Sequence, residues 1–307
     1  MRRFIFICVC VFLSFNVSAQ ILKERRVYYL DCSYSMKSLG LWDPVRENLK
    51  NAIDNISDET TELLVIPFAD NTNANATMKP IVAYADEEGK KKLKSKIDAL
   101  PMTQQTMTYH NLPISDFYDK RIDDNKVTYM FFMTDGCDED KQQRAINTLW
   151  PQWEKRFGKK NVFGFYVMLH GAAKNPKLEQ TIKNQDHLWK VESADVNINL
   201  VRAQSNAIYN AKNDEYINLP LYGNVDNLDF KASFASSCPY TVKSVDKIGK
   251  NLRVWIDCPN KTGLPISSKN QLNISVSGCG DYDFLVTDKV DVKCEFKPER
   301  SLKIIVK

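Results

Sequence analysis

The dominant pattern along the chain is a series of short, unbroken apolar runs, each closed by polar residues and followed by a stretch of helical period. Residues 27–30, 61–68, 127–133 and 161–169 are such runs, rich in β-branched and aromatic side chains. Runs of this length predict strands buried on both faces. Between them, Asp43-Pro44 offers an N-cap and a first-turn proline, and Val45, Leu49, Ala52, Ile53 and Ile56 fall on one helical face. Leu93, Ile97 and Leu100 repeat at helical spacing through Lys90, Lys91, Lys92, Lys94 and Lys96, so these lysines form the solvated face of an amphipathic helix. A helix is predicted over 111–122, where Pro113 suits a first turn. Another begins at Asp138-Glu139-Asp140, acids that the helix dipole favours there, and continues as a buried stripe of Ile146, Leu149, Trp150, Trp153 and Phe157. Pro151 should kink that helix and Gly158 end it. Residues 77–84 read as a short edge strand, 187–191 as a last strand and 196–211 as a closing helix. Strands alternating with helices predict an α/β fold, a doubly wound and mostly parallel sheet covered on both sides.

From about Asp214 the period changes to two. Leu228/Phe230/Ala232/Phe234, Leu252/Val254/Ile256/Cys258, Leu272/Ile274/Val276, Val290/Val292/Cys294/Phe296 and Leu302/Ile304/Val306 alternate with polar residues. This predicts a second, smaller all-β domain, an antiparallel sandwich of immunoglobulin-like plan. The divisions expected are 1–19, 20–212 and 213–307, in keeping with a length of 307 residues, which points to about two domains.

The first apolar run ends in Asp31-Cys32-Ser33-Tyr34-Ser35, one carboxylate and two hydroxyls at alternate positions. Such groups at the carboxyl end of a buried parallel strand lie where ligands bind in open α/β sheets. They are hard oxygen donors, suited to Mg²⁺, Mn²⁺ or Ca²⁺ rather than to zinc. The run at 127–133 ends similarly, in Thr134-Asp135-Gly136, with a glycine that permits a sharp turn after the carboxylate. Between the two lies the polar loop Thr103-Gln104-Gln105-Thr106-Met107-Thr108. The plain alternative for Asp-x-Ser-x-Ser by itself is a serine-rich turn capping a helix.

Asp-x-Ser-x-Ser, a loop threonine and a strand ending Thr-Asp-Gly together resemble the von Willebrand factor A domain and its metal-ion-dependent adhesion site. The resemblance covers about residues 24–212 and implies the Rossmann-like sheet of that family, with 77–84 antiparallel at its edge. It implies that Ser33 and Ser35 ligate the metal through their hydroxyls, and that Asp31 and Asp135 act directly or through water. Thr106 or Thr108 would complete the protein ligands. The family often carries two glycines before that threonine, where this chain has Gln104-Gln105. The cofactor implied is Mg²⁺, with Mn²⁺ or Ca²⁺ as alternatives. The partner implied is a protein that presents an Asp or Glu to the metal.

Composition narrows the setting. Arg2 and Arg3 precede an apolar run over 4–15, and Val17-Ser18-Ala19 supplies small residues for cleavage, which reads as a secretory signal peptide with Gln20 first in the mature chain. The run is too short to span a bilayer. The expectation is therefore an exported protein of bacterial type, periplasmic or secreted, with no transmembrane anchor after cleavage. Loss of Arg2 and Arg3 lowers the formal charge from +4 to +2, and no basic stripe interleaved with aromatics suggests nucleic acid. Six cysteines remain, so disulfides are expected. Cys238, Cys258, Cys279 and Cys294 permit three pairings. Because the family places its two metal strands side by side, the resemblance also suggests a Cys32–Cys137 bridge between the metal loops, with two reduced, buried cysteines as the alternative.

Enzymatic chemistry finds little support. A phosphotransferase of the haloacid dehalogenase type needs a second carboxylate two residues after the first, where Ser33 stands. A serine hydrolase needs an activated nucleophile; Gly-x-Ser-x-Gly is absent, and His110, His170 and His187 are the candidate bases. The expectation is a metal-dependent binding module with no catalytic residues. A metal-dependent hydrolase or phosphotransferase, or a structural envelope protein with an unused site, are the alternatives.

Overall fold

The computed structural model describes residues 23–69, 80–101, 123, 125–136, 143–158, 161–169, 176–192, 198–203, 209–212, 216–257, 267–278, 283–287 and 289–295. Among them, β1 (Lys23–Asp31), β2 (Glu62–Phe68), β3 (Ile81–Tyr84), β4 (Lys126–Thr134), β5 (Val162–Met168) and β6 (Leu188–Glu192) form one sheet in the order β3-β2-β1-β4-β5-β6. The edge strand β3 is antiparallel to β2, and the remaining pairs are parallel. The apolar runs are buried on both faces, as their composition requires. Tyr28 and Leu30 of β1 join one core cluster, whereas Val27 and Tyr29 join the other.

The first cluster lies under α2 (Trp42–Asp54) and α3 (Glu87–Asp98), which contribute Val45, Leu49, Ala52, Ile53, Leu93 and Ile97. The predicted stripe of α2 is thus the buried one. Asp86 caps α3 by accepting from the Gly89 amide at 2.6 Å. The lysine face of α3 is not simply solvated. Lys90 donates to the carbonyls of Asp54 and Ile56 at the end of α2, and Lys94 pairs with the Asp54 carboxylate at 2.7 Å. These bonds occupy carbonyls that a helix C-terminus leaves open.

The second cluster lies under the segment 145–157, where Pro151 divides the predicted helix. A π-helical turn (Ala145–Leu149) and a 3₁₀ turn (Trp150–Gln152) lead into α4 (Trp153–Phe157). Proline has no amide hydrogen to donate and its ring crowds the preceding turn, so the helix changes its winding around it. Ile146, Leu149, Trp150, Trp153 and Phe157 are all buried as predicted. Trp153 lies against the backbone of β5 at Gly164, where a Cβ would come within 2.4 Å of its ring. A short helix, α5 (Pro176–Lys183), adds Leu178 and Ile182 to this face. Two apolar residues four apart were too little signal to place it from the sequence. The helix expected over 111–122 and the strand at 302–306 lie outside the described residues.

The closing helix expected over 196–211 is a misreading of two strands, β7 (Asn199–Ala203) and β8 (Tyr209–Lys212). Ile198 and Leu200 pack into the α/β core, while Val201 and Ala203 face the second domain. A strand with both faces buried loses the alternation that would distinguish it from a helix. The architecture therefore changes between β6 and β7, earlier than the 20–212 and 213–307 division placed it.

Beyond that point the strands are β9 (Tyr216–Tyr222), β10 (Asp229–Phe234), β11 (Thr241–Ile248), β12 (Asn251–Asp257), β13 (Ser267–Ser277), β14 (Asp283–Thr287) and β15 (Lys289–Glu295). They form one sheet ordered β10-β13-β15-β8 and another ordered β11-β12-β9-β7-β14. Both sheets contribute to a single buried cluster that includes Leu219, Leu252, Val254, Leu272, Val290 and Val292. The sheets are not wholly antiparallel as expected, since β7 pairs parallel with β14, and β8 with β15. Both exceptions involve the strands that were read as helix.

Candidate metal centre

In the α/β sheet, β1 leads to β2 on one side and has β4 on the other, so the chain reverses its direction of winding between β1 and β4. Loops leaving the carboxyl ends of two such strands diverge and leave a crevice, where ligands of open α/β sheets bind. The sequence places its oxygens there. Leu30 pairs with Met133, and the next residues on each strand, Asp31 and Thr134, are bonded through their side chains.

Asp31 is held at both carboxylate oxygens. Its Oδ1 accepts from the Ser33 amide at 2.9 Å, and its Oδ2 accepts from the Thr134 hydroxyl at 2.8 Å. The Cys32 amide donates to the Phe68 carbonyl at 2.8 Å, tying the turn to β2. Ser33 then stands at the N-cap of α1 (Tyr34–Ser38), yet its hydroxyl caps nothing. Its Oγ lies 2.9 Å from Ser35 Oγ, so the two hydroxyls face one point. In the plain capping alternative the serine oxygen would accept from an amide of the first turn, a bond that α1 does not have. The buried Met36 anchors α1 behind them.

On the other strand, Gly136 has φ +86°, which gives the sharp turn expected after Asp135. The Gly136 amide donates to Thr134 Oγ1 at 3.1 Å while that hydroxyl donates to Asp31. Thr134 thus orients the Asp31 carboxylate from the neighbouring strand. Sequence reasoning missed this role, although the residue stood within the quoted Thr-Asp-Gly string.

Asp31, Ser33 and Asp135 are each 0 % exposed. Burial pushes the Asp31 carboxyl up to about 7 against the opposing hydrogen bond from Ser33, and the like charge of Asp135 adds to the rise. Two buried acids within electrostatic reach repel each other, and a cation between them would relieve both. Burial, with the Asp31 charge second, holds the Cys32 thiol well above its usual range, so it does not offer a thiolate. Its Sγ lies 3.5 Å from the Leu30 carbonyl. Among the described residues no three His, Cys, Asp or Glu side chains converge. The donors that do converge are carboxylates and hydroxyls, a set that fits a hard divalent ion.

Of the expected site residues, Asp31, Ser33, Ser35 and Asp135 come together at this edge. Thr106 and Thr108 lie outside the described residues, as do His110, His170 and Cys137. His187 directly precedes β6 and so sits at the amino edge, across the sheet from Asp31. Cys258 and Cys279 also lie outside, and Cys238 is a free thiol whose Sγ is 3.3 Å from Asn270 Oδ1.

No family model and no curated protein sequence matches the chain. Several solved structures are similar. Proximal thread matrix protein 1 from the mussel byssus, in a structure with a zinc-occupied MIDAS motif, shares 13% identity at a TM-score of 0.44, over 57% of this chain and 42% of that one. The chain thus spans less than half the length of the mussel protein. A von Willebrand factor type A structure from Catenulispora acidiphila shares 11% identity at a TM-score of 0.46, over 90% of this chain and 67% of that one. The pilus adhesin SpaC from Lactobacillus rhamnosus GG shares 12% at 0.44, over 89% and 43%. With one antiparallel edge strand, the order β3-β2-β1-β4-β5-β6, and Asp31, Ser33, Ser35 and Asp135 gathered where the winding reverses, the N-terminal domain has the von Willebrand factor A fold.

Proposed function

We propose that this edge of the sheet is a divalent-cation site, Mg²⁺ first with Mn²⁺ or Ca²⁺ as substitutes, through which the protein captures an acidic side chain of a partner protein. The observation that carries the reading is that the Ser33 and Ser35 hydroxyls face each other directly after the buried Asp31, with the buried Asp135 of the adjacent parallel strand within electrostatic reach of Asp31. Ser33 and Ser35 would bind the ion directly, Asp31 and Asp135 directly or through water, and Thr106 or Thr108 would complete the set. A bound ion there supplies an open coordination position for a further carboxylate oxygen. Tyr34, 46 % exposed and standing between the two serines in the chain, offers an apolar surface beside that position. The partner segment that fits is an Asp or Glu next to an apolar side chain.

The role is binding rather than catalysis. Thr134 holds Asp31 in place, and Ser33 takes the position where a phosphotransferase needs its second carboxylate. A hydrolase or phosphotransferase, or a structural envelope protein with an unused site, would be favoured instead if hydrolysis followed the metal, or if no metal bound. We place the protein outside the cytoplasm, periplasmic or secreted, on the signal-like residues 1–19. The second domain, two sheets around one buried cluster, is of immunoglobulin-like plan. Among the described residues no helix is long and apolar enough to cross a membrane.

Calorimetric titration of Mg²⁺ into the wild type, Asp135→Ala and Ser33→Ala tests the site. The wild type should bind and both variants should lose binding. Equal binding in all three would reject the assignment.

A further inference from the structure

A cleft of about 940 Å³ opens between the two domains at the amino edge of the sheet, the edge remote from the metal residues. Its walls come from the start of β1, the segment between α2 and β2, β7, and the turn after β9. The volume lies within the range of small-molecule sites, roughly 300–1,000 Å³.

Most polar groups of the lining are already satisfied. Glu24 is bound by Arg26 at 2.7 Å, and the Asp58 carboxylate accepts from the amide and hydroxyl of Thr60. Asn199 exchanges two hydrogen bonds with the Asn224 backbone. Two groups are different. Arg202 is 8 % exposed, its Nε is buried without a hydrogen-bond partner, and its guanidinium rests on the Tyr222 ring at 4.4 Å from the centroid. Thr61 is 0 % exposed and its hydroxyl has no partner either. Among the described residues no acid pairs with Arg202.

A buried guanidinium without a counter-ion is unfavourable, because the ring beneath it replaces only part of its lost hydration. Water entering the cleft could supply hydrogen bonds but no negative charge. Lys23 and Lys250 line the same cleft from its exposed rim and add to the positive potential, which the exposed Asp58 and Asp226 offset in part. The guanidinium fork, stacked and so fixed in its plane, is shaped for two oxygens of one anionic group.

We infer that the interdomain cleft binds a small molecule bearing an oxyanion, a carboxylate or a phosphate, with Arg202 as its charge partner and Thr61 as a hydrogen-bond donor. The site is independent of the metal centre.

The test is titration of inorganic phosphate and, in a separate arm, citrate into metal-free protein, followed by calorimetry and by the thermal midpoint. At least one should bind the wild type and raise its midpoint, and the arm that binds identifies the oxyanion class. Arg202→Met should weaken that binding about tenfold or more, the scale of one charge-assisted hydrogen bond, and leave Mg²⁺ affinity unchanged. Thr61→Val removes a hydroxyl that supports nothing within the fold, and should weaken it about threefold. Failure of both anions to bind would overturn the proposal, as would unchanged affinity in Arg202→Met. Should Arg202→Met fail to fold, unchanged affinity in Thr61→Val would overturn it.

Discussion

The two ends of β1 bury charge in opposite ways. At its carboxyl end Asp31 and Asp135 are both buried, and burial, with the like charge of Asp135 adding to it, raises the Asp31 carboxyl to about 7. At its amino end, Arg25 and Lys126 both bind Glu62 at 2.6 Å, and Arg26 binds Glu24 at 2.7 Å. Burial raises Glu62, but the hydrogen bonds from Lys126 and Arg25 outweigh it and leave the carboxyl below its usual range. The paired end explains itself as structure, since each charge meets its complement within the fold. The acidic end places Asp135 within electrostatic reach of Asp31, a repulsion that the proposed cation would relieve. The same contrast separates Arg202 from Arg26, which lines the same cleft and is paired with Glu24.

The largest effect that would break this comparison is on the metal. Asp135→Ala or Ser33→Ala should reduce Mg²⁺ affinity about 100-fold or more, measured by calorimetry, because each would remove a proposed ligand or the charge proposed to hold the ion. A pH titration comes next. Asp31 ionises near 3.8 when unfolded and near 7 when folded, so between these values the folded state keeps a proton that the unfolded state has lost. The stabilising share of Asp31 is thus complete below about pH 4 and is lost as pH rises through about 7. The thermal midpoint of the metal-free protein should fall across that window relative to Asp31→Asn. A constant difference between the two curves would remove the case for a buried, repelled carboxylate.

At the paired end, Glu62→Gln should cost about 2 kcal/mol in denaturant unfolding and leave Mg²⁺ binding intact, since it strips two half-buried cations of their acid. Thr134→Val sharpens the contrast from the other side. It should cost only about 1 kcal/mol of stability but weaken Mg²⁺ binding about tenfold, because Asp31 loses the bond that orients it. The smallest effect is expected at Lys94→Ala, whose pair with Asp54 is largely exposed. Its loss should change stability by less than about 0.5 kcal/mol and vanish in high salt.

How far the sequence could be read followed from how one-sided each element's burial is. β1 starts four residues before its apolar run, at Lys23, whereas α2, β4 and β12 carry unambiguous patterns and lie within a residue or two of where periodicity put them. β7 and β8 did not, because β7 turns Leu200 to one core and Val201 to another, and no single face then shows a period. The oxygens of the site were legible as residue types ending two apolar runs. The bond from Thr134 to Asp31 was not, since it joins residues 103 positions apart through a strand register that neither run states.

What the sequence by itself determined is the list of buried runs, the helical stripes and the residues able to supply hard oxygens, all of which follow from local chemistry and period. Only the tertiary structure decided that β4 would lie beside β1, that Ser33 would turn to Ser35 instead of capping its helix, and that Arg202 would be enclosed without an acid. The physical reason is that the strength and sign of an electrostatic interaction depend on which groups share a low-dielectric space, and that is set by pairing and packing between distant segments.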